Sequence, residues 1–214
     1  MRSYHQYCAL AKALDILGDR WTLLIVRELL IRPCRYGELQ EGLPGVASNL
    51  LATRLHHLEE CAVVRKAADG RYELSAWGRQ LAEPVQALVR WGSPLMDRRG
   101  KDDAFQGRWL ALPIELIFGG VDAARPPFVA EIRADGQAVT LESAEGRVVV
   151  RPGAAAAPNL VLTGPAEAVV GLLSGRLDRA GAQAEGVSVL GDADTLARLR
   201  RPDWLSGPEA CREA

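Results

Sequence analysis

Three histidines and four cysteines bound the chemistry open to this chain. Cys8, Cys34, Cys61 and Cys211 show no C-x-x-C spacing, and no histidine follows His57. No metal site is therefore expected, and the second half has no histidine for a Ser-His-Asp or Cys-His arrangement. Asp178, Glu185, Asp192 and Asp194 stand in or beside loops, where carboxylates are usually solvated. Leu173-Ser174-Gly175-Arg176 follows a helical stretch rather than opening one, so it is not a phosphate cradle. The expectation is a protein that is not an enzyme and carries no cofactor.

The polar residues that do form a pattern lie between Ser48 and Arg71. At 100° per residue Leu50, Leu51, Leu55 and Leu58 fall on one stripe of a helix, and Asn49, Thr53, His56 and Glu60 fall opposite. Outward Asn, Thr and His offer the mixed donors and acceptors that base edges in a major groove require. Arg65, Lys66 and Arg71 follow on a hairpin, where they suit the phosphate backbone or the minor groove. A polar outer face by itself is the ordinary solvated side of an amphipathic helix; the order of the surrounding elements is what gives it meaning. Arg54 leans toward the apolar stripe, and the sequence leaves open whether it pairs with Glu28 or Glu38 or reaches a phosphate.

The elements that must position these residues follow from periodicity. Leu10, Ala13, Leu14 and Leu17 predict a helix over 9–17 ended by Gly18. Asp19 is read as the cap of a second helix through Trp21, Leu24, Ile25, Leu29 and Leu30, ended by Pro33. A short helix spans Tyr36 to Gly42, and Ser48 caps the next one to about Cys61. Asp69-Gly70 between two short alternating runs is a hairpin signal, and a long helix starts at Ser75 and runs through Leu81, Val85, Leu88 and Trp91. Helix, helix, short helix, capped helix, hairpin, long helix is the order of a winged helix-turn-helix.

The full chain has 214 residues, 48% hydrophobic and 25% charged, with a net charge of −1. These values fit a globular chain and exclude dominant disorder or a fibre. No apolar run reaches the roughly 18 residues of a membrane span. The start of the chain lacks a secretory signal, so a reducing cytoplasm is the expected compartment. Residues 1–100 carry 14 Lys/Arg and 11 Asp/Glu, residues 101–214 carry 12 and 16. That asymmetry places any anionic partner on the first half. The polar stretch from Asp97 to Asp103 reads as a linker.

Residues 4 to about 92 resemble the HxlR-type family of bacterial winged-helix transcription regulators. The resemblance rests on Cys8-Ala9-Leu10-Ala11-Lys12-Ala13-Leu14-Asp15-Ile16-Leu17-Gly18-Asp19-Arg20-Trp21-Thr22-Leu23-Leu24-Ile25-Val26-Arg27-Glu28-Leu29, on Arg35-Tyr36-Gly37-Glu38-Leu39, on Leu43-Pro44-Gly45-Val46-Ala47, on Arg54-Leu55 with Leu58-Glu59, and on Tyr72-Glu73-Leu74-Ser75 with Gly78. It implies a homodimer formed by the first and last helices of this half, bound to a pseudo-palindromic double-stranded DNA operator. The DNA-binding set it implies is Arg35, Ser48, Asn49, Thr53, Arg54, His56, Arg65, Lys66 and Arg71. Several members of the family sense oxidants through a cysteine near the N-terminus. Cys8 stands at that position, although Ala9 replaces the proline that usually follows.

The second half reads as α+β. Trp109 to Leu112 and Ile114 to Phe118 form an apolar segment ending at Gly119-Gly120. Strand runs follow at Phe128 to Arg133, Ala138 to Glu142 and Arg147 to Val150. Asp135-Gly136 and Glu145-Gly146 mark turns, and an antiparallel sheet is expected. A strand at Asn159 to Leu162, a helix through Val169 to Leu173, a strand at Val187 to Asp192 and a last helix from Ala193 complete it. Residues from about 127 to 202 look like the sterol-carrier-protein fold, on Leu160-Val161-Leu162-Thr163, Ser174-Gly175-Arg176-Leu177-Asp178 and Val187-Ser188-Val189-Leu190-Gly191-Asp192. That resemblance implies an apolar tunnel for a small hydrophobic effector, with Phe118, Phe128, Val170 and Leu173 as its candidate lining. The whole chain is thus expected to hold a DNA-binding and dimerisation domain over 1–96, a linker over 97–107 and a hydrophobic-ligand domain over 108–214, and to make no use of a membrane. Alternatives are a redox regulator acting through Cys8 over a purely structural second half, and a lipid carrier whose winged helix serves only dimerisation.

Overall fold

The computed structural model describes residues 3–97, 99–118, 126–144 and 147–199. It separates into two compact units, Met1–Val85 and Gln86–Ala214.

The first unit opens with helix α1, Ala9–Leu17, which closes where the Gly18 N–H reaches the Leu14 carbonyl at 2.8 Å. Helix α2 covers Thr22–Ile31. Its cap is not Asp19 as the sequence predicts: Trp21 stands at the cap position with φ 80°, in the left-handed region, and the Asp19 carboxylate goes to Arg54. Helix α3 is Tyr36–Gly42 and helix α4 is Ser48–Glu60. The wing follows, with β1 at Val64–Lys66 antiparallel to β2 at Tyr72–Leu74. Cys34 adds a one-residue bridge to Tyr72, with backbone bonds of 3.0 and 2.7 Å, so the wing is hydrogen-bonded to the α2–α3 connection. After a 3₁₀ turn over Gly78–Leu81, helix α5 spans Ala82–Gly92, and the boundary between the units falls within it after Val85. The predicted long helix from Ser75 is thus broken. The Ser75 hydroxyl accepts from the Gly78 N–H at 2.9 Å and donates to the Ala62 carbonyl at 2.7 Å, which fixes a bend before α5 begins.

The core of this unit is the apolar stripes meeting: Ile25, Val26 and Leu29 of α2, Leu39 of α3, and Leu51, Leu55 and Leu58 of α4 are all buried. Each such side chain contributes roughly 1.5–3 kcal/mol by leaving water. Leu50, placed on the stripe from sequence, is only half-buried at its margin.

In the second unit a 3₁₀ turn over Gly107–Leu110 leads into α6, Ala111–Phe118. The strands are β3 (Val129–Ala134), β4 (Gln137–Ala144), β5 (Arg147–Pro152), β6 (Leu160–Gly164) and β7 (Ser188–Gly191). Helices α7 (Ala166–Leu173), α8 (Arg179–Ala184) and α9 (Ala193–Leu199) complete it. Gly119-Gly120 and Glu145-Gly146, both read as breaks, lie outside the described residues. The segment read as a linker is tied down here. Arg99 bonds the Asp135 carboxylate at 2.6 Å, and the Gly107 N–H donates to the Gln137 side-chain carbonyl at 2.9 Å.

The sheet corrects the expectation of an antiparallel sheet. Its order is β5-β4-β3-β6-β7, and β3 pairs with β6 in parallel, Ala130 opposite Leu160. After β5 the chain crosses to the far side of β3 instead of continuing the meander. The crossing is held by the Ala155 N–H on Glu131 at 3.0 Å, and by Asn159, which exchanges two 2.7 Å bonds with the Val129 backbone. One face of the sheet is apolar and buried, through Ala130, Ile132, Val139, Leu141, Val148, Val150, Leu160 and Leu162.

Candidate nucleic-acid interface

Helix α4 turns Ser48, Asn49, Thr53 and His56 outward, all exposed, while Leu51, Leu55 and Leu58 hold the opposite side in the core. Ser48 does not cap the helix; Ala47 occupies that position. The Tyr36 hydroxyl lies 2.6 Å from the Ser48 carbonyl and 2.9 Å from its hydroxyl, pinning the start of α4 to α3. Thr53 donates to the Asn49 carbonyl at 2.9 Å, so this hydroxyl is held against the helix rather than extended. His56 sits 3.3 Å from Glu60, one turn on, with both side chains exposed. Arg54 is different. Its Nη1 is 2.8 Å from the Asp19 carboxylate, and neither Glu28 nor Glu38 is its partner. Glu28 is buried beside Arg27, and Glu38 pairs with Arg32 at 2.7 Å.

The wing presents Arg65, Lys66 and Arg71, all exposed. The hairpin closes through Gly70, at φ +82°, whose N–H reaches the Ala67 carbonyl at 2.9 Å. Arg65 bridges cross-strand to Glu73 at 2.5 Å, the Lys66 ammonium stands 5.5 Å over the Tyr72 ring, and Arg71 is 3.5 Å from Asp69. Arg35, exposed at the start of α3, reaches this tip: a β-carbon on Gly70 would sit 3.7 Å from its Nη1. Its backbone N–H and the Arg32 guanidinium hold the Glu38 carboxyl below the usual carboxylate range. The structure thus brings Arg35 together with the wing cations and Ser48 with Tyr36, while Arg54 is drawn to the α1–α2 turn. Tyr36 was missed from sequence. Its only signal there was an aromatic hydroxyl at the first position of α3, twelve residues before the helix it pins.

The three described thiols have distinct environments. Cys8 is exposed at the cap position of α1, and the Ala11 and Leu10 backbone N–H groups hold its thiol below the ordinary value. Cys34 is buried with its sulfur 3.3 Å from the Arg32 carbonyl. Cys61 lies 3.5 Å from His57 Nε2, and burial pushes its thiol up. Among the described residues no group of three His, Cys, Asp or Glu could hold a metal ion, and no helix is long and apolar enough to cross a membrane.

In the second unit Phe128, Val170 and Leu173 are buried, while the side chain of Phe118 lies outside the described residues. The Arg198 guanidinium stands 4.6 Å over the Phe128 ring and bonds the Pro126 carbonyl at 2.9 Å. A cleft of about 320 Å³ lies on the sheet's other face, beside Thr140, Glu142, Arg151 and the chain crossing at Ala154–Ala157; none of the predicted lining residues borders it. Asp178 and Asp192 prove to be helix caps, accepting from Gly181 at 2.7 Å and from the Thr195 N–H at 2.9 Å.

Two apolar-faced helices, a polar outward α4 and a basic hairpin define a winged helix-turn-helix. Residues 16–100 match the HxlR-like helix-turn-helix family. The chain is 33% identical over 92 residues to the uncharacterized HTH-type transcriptional regulator YvaP of Bacillus subtilis, covering 40% of this chain and 85% of that one. It is 35% identical over 85 residues to the B. subtilis regulator YodB, covering 37% and 76%. An uncharacterized HTH-type regulator of Mycobacterium tuberculosis is 33% identical over 96 residues, 42% of this chain; the match spans 60% of that relative's length. The quinone-bound crystal structure of YodB aligns at 31% identity and a TM-score of 0.37, over 39% of this chain and 93% of that one. Through its N-terminal 100 or so residues the chain belongs to the HxlR-like family of helix-turn-helix transcriptional regulators.

Proposed function

We propose that this chain is a DNA-binding transcriptional repressor. It acts as a homodimer, with α4 in the major groove of double-stranded DNA and the wing on the adjacent backbone. The observation that carries this reading is one outward face holding Asn49, Thr53 and His56, flanked by Arg35, Arg65, Lys66 and Arg71. Asn49 supplies base-edge hydrogen bonds, Thr53 presents its methyl group, and the arginines supply phosphate contacts. In this reading residues 1–96 bind DNA and dimerise, 97–107 connect, and 108–214 accept a small hydrophobic effector whose occupancy shifts operator affinity. The ligand role rests on the resemblance of the second half, where Phe128, Val170 and Leu173 are buried, to the sterol-carrier-protein fold.

Fluorescence anisotropy on the chain's own upstream DNA and on scrambled DNA, across salt concentrations, tests the proposal. Binding at least ~1000-fold tighter to the upstream DNA with a steep salt slope is the expected result. Equal weak binding to both, with and without the small molecules that co-purify, removes the regulator reading. Gel shifts indifferent to every molecule that co-purifies with or occupies the second half remove the effector.

A second reading is favoured by Cys8 itself, exposed and held toward the thiolate by helix N–H groups. In it, oxidation or alkylation of Cys8 releases DNA. Diamide or quinone treatment then lowers operator affinity in the wild type and leaves Cys8→Ser unaffected. Equal response of both proteins sinks this reading.

A further inference from the structure

We propose that Arg54 is a positioning residue: its pairing with Asp19, rather than a phosphate contact, sets the rotation of α4 and so operator affinity. The inference rests on the DNA-binding reading above. Arg54 stands on the helical wheel between half-buried Leu50 and buried Leu58, at the edge of the leucine stripe, and its side chain is only 19% exposed. The guanidinium is folded back onto the Asp19 carboxylate at 2.8 Å, and its Nε is buried without a partner. An arginine kept for phosphate would have its fork in water and all donors free to turn outward.

The other end of the pair is a fixed point. Asp19 lies in the turn joining α1 to α2. There the Gly18 N–H closes on Leu14, the Thr22 N–H reaches the Asp19 carbonyl at 3.2 Å, and Trp21 is locked at φ 80° with Arg20 stacked 5.6 Å over its ring. Helix α4 otherwise rests on leucines, whose attraction is non-directional, and on the Tyr36 pin at its first residue. The leucines and the Tyr36 pin seat the helix in the core, and the ion pair one and a half turns on adds a directional bond that sets its fine rotation. A rotation of about 10° moves a side-chain tip about 1 Å at a radius of about 6 Å. That is enough to spoil a bidentate base contact from Asn49.

The two roles for Arg54 predict opposite signs at Asp19. A positioning pair loses affinity when either partner is removed. A phosphate-binding Arg54 restrained by Asp19 would gain affinity once the acid is neutralised. Asp19→Asn, Arg54→Gln and the double variant in the full chain are compared with wild type by anisotropy on the upstream DNA at four salt concentrations. Folding is verified by circular dichroism at the assay temperature. Both single variants are expected to weaken binding about five- to tenfold, with the slope of log K against log salt unchanged and the double variant no worse than about twofold beyond either single. Arg54→Lys, which keeps the charge, recovers part of the loss only while Asp19 is present. A slope reduced by ~0.9 in Arg54→Gln, or unchanged or tighter binding in Asp19→Asn, overturns the inference. A wild type that does not distinguish upstream from scrambled DNA fails the DNA-binding reading instead, and is measured first.

Discussion

Glu131 lies on β3 with 1% of its side chain exposed, bonded to the Arg133 guanidinium and to the Ala155 N–H of the crossing chain. The Arg133 bond comes first among the causes that hold its carboxyl below the usual range. A carboxyl lowered in the fold stabilises it above the unfolded-state value of about 4.3, and that contribution is lost as pH falls through the folded value. Glu131→Gln is therefore expected to lower stability by about 1–3 kcal/mol at pH 7, and urea unfolding at pH 3.5 should show the gap to wild type closing. A gap that stays constant with pH would mean that the ionised carboxylate is not what matters. This residue was invisible in the sequence, where it is one acid in an alternating strand; the crossing over its face adds the Ala155 N–H to its Arg133 partner. The outward polar residues of α4 were more legible. The exposure of Asn49, Thr53 and His56 follows from 3.6-residue periodicity alone. Ser48, Tyr36 and Arg54 were not legible, because their partners lie 12, 12 and 35 residues away and periodicity says nothing about tertiary bonds.

Elements with a strong local period were read nearly to the residue, and those that depend on a distant partner were not. Helix α1 and the wing hairpin stand where Leu10, Leu14 and Asp69-Gly70 put them. Helix α8, Arg-Ala-Gly-Ala-Gln-Ala, was missed because it has no apolar stripe and an interior glycine. The parallel β3–β6 pair was missed because the connection over 153–159 carries no sign of direction. The break between the hairpin and α5 is likewise tertiary. At Gly78 a β-carbon would lie 2.1 Å from the Val63 carbonyl oxygen, a backbone atom that cannot yield cheaply. The Ser75 N–H already holds that carbonyl at 3.0 Å. Gly78→Ala should therefore cost about 1–3 kcal/mol or more by overpacking and loosen the base of the wing. In Gly37→Ala a β-carbon on α3 meets nothing within 4 Å, so it should be neutral or gain up to about 1 kcal/mol. Urea midpoints of the two variants decide it: equal small shifts would mean the wing base adjusts freely.

The charge asymmetry of the chain, basic before residue 100 and acidic after it, has the same sense as the proposed DNA-binding role of the first unit. Burial adds what charge cannot. Tyr7, Leu10 and Leu14 are exposed at the start and along α1, and Leu88 and Trp91 are exposed on α5, with Leu10 at 68% and Trp91 at 77%. Each of the two helices leaves large apolar side chains in water, a feature of surfaces that a partner covers. The first and last helices of the DNA-binding half are where the family resemblance places a second copy of this chain. An operator with two half-sites couples dimerisation to affinity, because a monomer holds one half-site and forfeits the effective concentration of the second. Leu10→Glu with Trp91→Glu in the full chain is thus expected to give a monomer by light scattering and to weaken operator binding by about 100-fold or more. Substitution at exposed positions costs a folded monomer only about 0.5 kcal/mol, so circular dichroism should be unchanged. A variant that stays dimeric would move the interface elsewhere. A folded monomer that binds the operator as tightly as wild type would break the link between dimer symmetry and operator recognition, and with it the placement of two α4 helices in successive major grooves.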